Sequence, residues 1–221
     1  MARLLYCVTL VTPDPDPPLT GVAEQPVAHH DSHGLRVYWS EVSNPETLAE
    51  GPSRKAAEGK YRHLLREALA WTTPIAFPFP ALVAEPEEID ALLAEKGGEY
   101  TEALQRLAGT VQYELTATWD DDDSADFATP VSGREYLKRR EESQARIAAI
   151  DTKLKTVTGN LVREWQSQQD RRKHRWYALV RRADREHFLG ALRSAGPSQG
   201  VRLRLSGPWP PGEFMAPSTR A

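Results

Sequence analysis

Two clusters in the chain hold enough donors to do chemistry. His29-His30-Asp31-Ser32-His33 places three imidazoles and a carboxylate within five residues, a set that suits zinc or nickel. Adjacent ligands on one short loop rarely close around a single ion, and no cysteine or second histidine run completes the set, so the segment reads as a solvated loop. Asp120-Asp121-Asp122-Asp123-Ser124-Ala125-Asp126 offers carboxylates to calcium but lacks the alternate spacing and glycine turn of an EF-hand loop. Acid–base chemistry finds less. There is no Gly-x-Ser-x-Gly, His-Glu-x-x-His, phosphate loop or Gly-x-Gly-x-x-Gly, and Glu87-Glu88 and Glu141-Glu142 fall on helical patterns where sequence neighbours point about 100° apart. No catalytic residue, metal ligand or cofactor site is assigned.

A third cluster suits binding rather than catalysis. Arg171, Arg172, Lys173 and Arg175 run into Trp176-Tyr177, and Arg202 and Arg204 extend the same charge on a later strand pattern. Cations can contact phosphates and aromatic rings can stack bases, so a nucleic-acid-binding module is the alternative function. Against it, Trp176 and Tyr177 point to opposite faces of a strand, so at most one of them joins the basic surface. The net charge of −3 also argues against it.

That small net charge conceals a division. Residues 1–130 hold 9 Lys/Arg against 22 Asp/Glu, and residues 131–221 hold 19 against 9. The two halves therefore attract each other or face different partners, with steering that weakens as salt rises. No apolar run approaches the roughly 20 residues of a membrane span. Leu4–Val11 is too short for a secretory signal and Cys7 has no internal partner, which points to the cytoplasm.

The elements that must position these groups follow from periodicity. Strands are expected over 3–11, 35–42, 74–83, 110–119, 175–182 and 201–205, the third forced by its prolines to an edge or a bulge. Helices are expected over 53–71, over 87–107 with a weak point at Gly97-Gly98, and over 184–193. Ser132 with Glu135 fits a capping box that starts a long helix at Gly133. Its stripe of Ile147, Ile150, Leu154, Val157, Leu161 and Trp165 is a core face or a short coiled-coil seam, and packing on the domain's own sheet is favoured. The acidic run interrupts the pattern, giving an N-terminal α+β domain over 1–119, a linker over 120–130 and a second domain over 131–221. The fold class is α+β, with antiparallel sheets covered on one face.

The C-terminal strand pattern Val201-Arg202-Leu203-Arg204-Leu205 runs into Ser206-Gly207-Pro208-Trp209-Pro210-Pro211-Gly212-Glu213-Phe214. Prolines remove ladder donors and fix φ, so pairing should stop there and Trp209 and Phe214 should stand on a stiff extended edge. Such an edge serves docking or packing, and packing is favoured because a tryptophan after a core strand is more often covered.

This run resembles the C-terminal signature of the GvpL/GvpF family of gas vesicle proteins. Gly133-Arg134-Glu135-Tyr136-Leu137 is similar to the family's Gly-x-x-Tyr-Leu helix start, and Tyr61 to Trp119, with Pro74-Ile75-Ala76-Phe77-Pro78-Phe79-Pro80 inside it, is similar to its helix, strand, helix and strand. The resemblance implies an α+β N-terminal domain beside a modified ferredoxin-like C-terminal domain with a long helix. It implies a non-catalytic accessory or minor structural protein, cytoplasmic and vesicle-associated, that binds the shell protein and other gas vesicle proteins during nucleation and assembly. Ser206, Gly207, Pro208, Trp209, Pro210, Pro211 and Phe214 are then the candidate docking or structural edge, with the exposed face of the long helix second.

Overall fold

The computed structural model describes residues 2–13, 17–119, 133–170, 173–194 and 201–216. It forms two compact units, Met1–Val111 with Pro208–Ala221, and Gln112–Gly207. The acidic linker and the Ser132 cap lie outside the described residues.

The first unit carries strands β1 (Ala2–Leu10), β2 (Ala28–Ser32), β3 (Leu35–Val42) and β4 (Ile75–Val83), ordered β2-β3-β1-β4, with helices α1 (Gly51–Ala68) and α2 (Pro86–Leu107). Central β1 buries Leu4 to Val8 without a break, which a half-covered strand could not do. Leu4, Tyr6, Tyr38 and Val42 share a core with Tyr61, Leu64 and Leu65 of α1. The alternate residues face α2, where Leu35 reaches Gly97. This sheet is thus covered on both faces, not one, and Gly97-Gly98 does not interrupt α2 because Gly97 is buried against the sheet.

The prolines of β4 sit where their missing donors do least harm. The strand is an edge, and its pairing with β1 jumps from Leu5↔Ala81 to Cys7↔Ala76, so Phe77 to Pro80 bulge out of the ladder. Tyr61 donates its hydroxyl to the carbonyls of Tyr6 and Phe77, tying α1 to the bulge. Tyr6 in turn shares a 2.7 Å hydrogen bond with Ser40 and accepts from the Val22 amide at 2.8 Å. Burial pushes both phenols above their ordinary range.

The second unit has β5 (Thr110–Trp119), α3 (Gly133–Thr158), β6 (Val162–Asp170), β7 (Lys173–Arg181), α4 (Arg185–Ser194) and β8 (Val201–Trp209), with sheet order β6-β7-β5-β8. Leu115, Ala117, Trp176 and Val201 pack beneath Ile147, Ile150 and Leu154 of α3, with Trp165, Leu192 and Leu203 around them.

Three expectations change here. The long helix stops at Thr158, because Gly159 turns left-handed at φ 47. Leu161 and Trp165 therefore leave the helical stripe, and Trp165 reaches the same core from a strand, β6, that the periodicity does not reveal. Secondly, β5 pairs in the second sheet, so a boundary at 119 cuts after the wrong strand. Thirdly, β8 continues through Pro208 to Trp209 instead of stopping at Leu205, which an edge strand permits because a proline there leaves no required donor missing.

Candidate interaction surfaces

Along the C-terminal segment, exposure falls from strand to turn. Ser206, Gly207, Pro208 and Trp209 are half-buried, whereas Pro210 and Pro211 are buried and Phe214 is wholly enclosed. The Arg66 guanidinium of α1 lies over the Trp209 ring, 4.2 Å from its centre, a geometry in which the ring quadrupole attracts the cation. Arg106 of α2 donates to the carbonyls of Phe214 and Met215, the second at 3.1 Å. The segment is thus clamped to both helices of the first unit. Phe214 is covered in the folded chain, leaving Trp209 as the aromatic with accessible surface.

The second surface is the outer face of the second sheet. On β7, His174 and Trp176 point to the helices, so Lys173 and Arg175 point away from them; on β8, Val201 and Leu203 point inward and Arg202 and Arg204 outward. Four of the expected cations therefore share one face, with Thr116, Thr118 and Glu114 of β5 between the two strands. Glu114 lies 3.6 Å from Arg175, and Thr118 donates to the Arg202 carbonyl at 3.4 Å. Lys173, Arg202 and Arg204 are exposed. Arg171 and Arg172 lie outside the described residues. Trp176 is buried on the inner side and Tyr177, although on the outer side, is also buried, so neither extends the basic face as a stacking platform.

A family model described as gas vesicle synthesis protein GvpL/GvpF matches residues 2–216. The chain belongs to the GvpL/GvpF family. Its fold is similar to the crystal structure of the gas vesicle protein GvpF from Anabaena sp. PCC7120, with TM-score 0.74 at 17% identity over 100% of this chain and 98% of that one. It is also similar to GvpF from Microcystis aeruginosa, with TM-score 0.73 at 14% identity over 97% and 99% of the two chains. No curated protein matches the chain in sequence.

In this GvpL/GvpF chain the histidine cluster is not a loop. His29 to Ser32 belong to β2, paired with β3 and closed by a two-residue turn at His33-Gly34, where both φ angles are positive. Asp31 accepts two 2.7 Å bonds from Arg36 directly across the ladder, and that guanidinium holds its carboxyl below the usual range. His30 bonds Asp90 of α2 at 2.8 Å. The cluster's polar atoms thus fasten β2 to its neighbours, and among the described residues no three His, Cys, Asp or Glu converge as a metal would need. The Asp120–Asp126 run lies outside the described residues.

The depression lined by Ala49, Glu50, Gly51, Pro52, Arg54 and Lys55 is open to solvent, and its lining contains no histidine, serine or cysteine. Among the described residues no helix is long and apolar enough to cross a membrane. Sequence reasoning missed the two arginines that hold the C-terminal segment. Arg106 stands 108 positions from Phe214, and nothing local to either residue signals that they meet.

Proposed function

We propose that this protein is a non-catalytic gas vesicle accessory protein that binds the shell protein and other gas vesicle proteins during nucleation and assembly in the cytoplasm. The observation that carries this reading is the family match over residues 2–216. The order β-α-β-β-α-β in the second unit, with its first strand between the third and fourth in the sheet, supports describing that unit as ferredoxin-like. Trp209, half-buried five residues before the enclosed Phe214, gives the first unit an aromatic contact on a stiff backbone, which suits docking of a small apolar partner at low entropic cost. The opposite charge of the two halves supplies salt-sensitive steering.

The test is capture of purified shell protein by purified full-length protein at low and high salt. The proposal expects binding at low ionic strength that weakens as salt rises. Failure to bind shell protein or any other gas vesicle protein at low ionic strength would overturn it.

A further inference from the structure

Helix α2 bears a single acidic stripe. Glu95, Glu99 and Glu102 lie within an arc of about 60° at about 100° per residue, and all three are exposed. Lys96 points about 60° beyond the edge of that arc by the same geometry. The stripe therefore presents three carboxylates over about 10 Å of helix length.

The outer face of the second sheet has matching dimensions and opposite sign. Lys173 on β7 and Arg202 with Arg204 on β8 are exposed on one side of the sheet. Two strand spacings separate β7 from β8, about 10 Å, and Arg202 and Arg204 stand about 7 Å apart along their strand. Glu114, 3.6 Å from Arg175, and Glu164 of β6 put two carboxylates on this side against the cations Lys173, Arg175, Arg202 and Arg204, so the described residues leave the face positive.

We propose that these surfaces dock on each other between two copies of the chain, the basic sheet face of one receiving the α2 stripe of the next. The second copy is preferred over nucleic acid because the chain itself carries a counter-surface of matching span. The only aromatic residue of β7 pointing to this side, Tyr177, is buried and offers no platform for bases. The contact joins unlike patches, so copies associate either head to tail or as a reciprocal pair. In both cases association grows with concentration. Contacts built on exposed charges are weak and strongly screened. This inference concerns self-association and does not depend on shell-protein binding.

Sedimentation of the purified full-length protein alone tests it, at about 20 mM and about 300 mM NaCl, where the screening length falls from about 20 Å to about 6 Å. At low salt the average mass should rise with protein concentration, and at high salt it should stay that of the monomer. Glu95→Lys/Glu99→Lys/Glu102→Lys and Lys173→Glu/Arg202→Glu/Arg204→Glu should each abolish the rise. Mixing the two reversed proteins should restore it, since each then offers the other a complementary face; a merely unfolded variant would not be rescued. A wild-type protein that remains monomeric at low salt, a rise that survives either triple reversal, or a mixture that fails to associate would overturn the proposal.

Discussion

His174 carries a pH dependence that its position alone dictates. Its ring packs 4.2 Å from the Trp176 ring, and neither ring nitrogen has a hydrogen-bond partner among the described residues. Burial holds its pKa below the ordinary value, while Asp151 of α3 pulls the other way. That carboxylate is itself engaged by Lys155 at 2.7 Å, and the residue paired with His174 on β6 is the uncharged Gln169. In the unfolded chain the imidazole takes up its proton near pH 6.5, whereas the folded form resists until lower pH. The unfolded state then binds more protons, so stability falls as pH drops below about 6.5. Denaturant unfolding at pH 7 and pH 5.5 should show the wild type losing more stability than His174→Leu over that interval. An equal or smaller loss in the wild type would show that His174 is not the responsible group.

At the scale of elements, legibility depended on whether a strand announced itself by alternation. β5 did, with Val111, Tyr113 and Leu115 on one face, whereas β3 showed itself by a dense apolar and aromatic run that includes Leu35, Val37 and Tyr38, buried on both faces. β6 did not, because Glu164, Gln166 and Gln168 make its outer side polar and Trp165 continues the helical spacing before it. β2 was hidden for a different reason: its histidines and Asp31 look like ligands, and only the cross-strand Arg36 and the helix-borne Asp90 show them to be structural partners. The end of α3 turns on one backbone conformation. Gly159 has a positive φ and open space around it, so an added methyl group meets no atom and is penalised by conformation alone. Gly190, exposed inside α4 and also in open space, has the reverse problem, since glycine weakens a helix interior. Gly159→Ala should cost about 1–2 kcal/mol, and Gly190→Ala should add about 0.5–1 kcal/mol. Thermal unfolding of the two variants should move in opposite directions. A shift of the same sign would mean that packing around the two sites, not backbone preference, decides.

For the whole molecule, the strongest local break misplaces the boundary. The Asp120–Asp126 run is conspicuous because like charges repel along a chain, but membership of a unit is set by strand pairing and by what the C-terminal segment touches. The first unit takes Pro208–Ala221 back after the second has been completed, so Gln112–Gly207 is inserted between its two parts. A prediction follows from how the returning segment is held. Arg66→Ala removes only the cation from the Trp209 face and should cost about 0.5–2 kcal/mol. Phe214→Ala empties a fully enclosed site and should cost about 3–5 kcal/mol. Ending the chain after Gly207 removes Trp209, Pro210, Pro211 and Phe214 together and leaves Arg106 without the two carbonyls it donates to, so it should exceed either substitution. Hydrogen exchange reads this directly, because local opening tracks the stability of each cooperative unit. Protection in α1 and α2 should fall in the order Arg66→Ala, Phe214→Ala, truncation, while α3 and α4 keep theirs. Loss of protection spread equally over all four helices would mean that the C-terminal segment supports the chain as one cooperative body and not the first unit in particular.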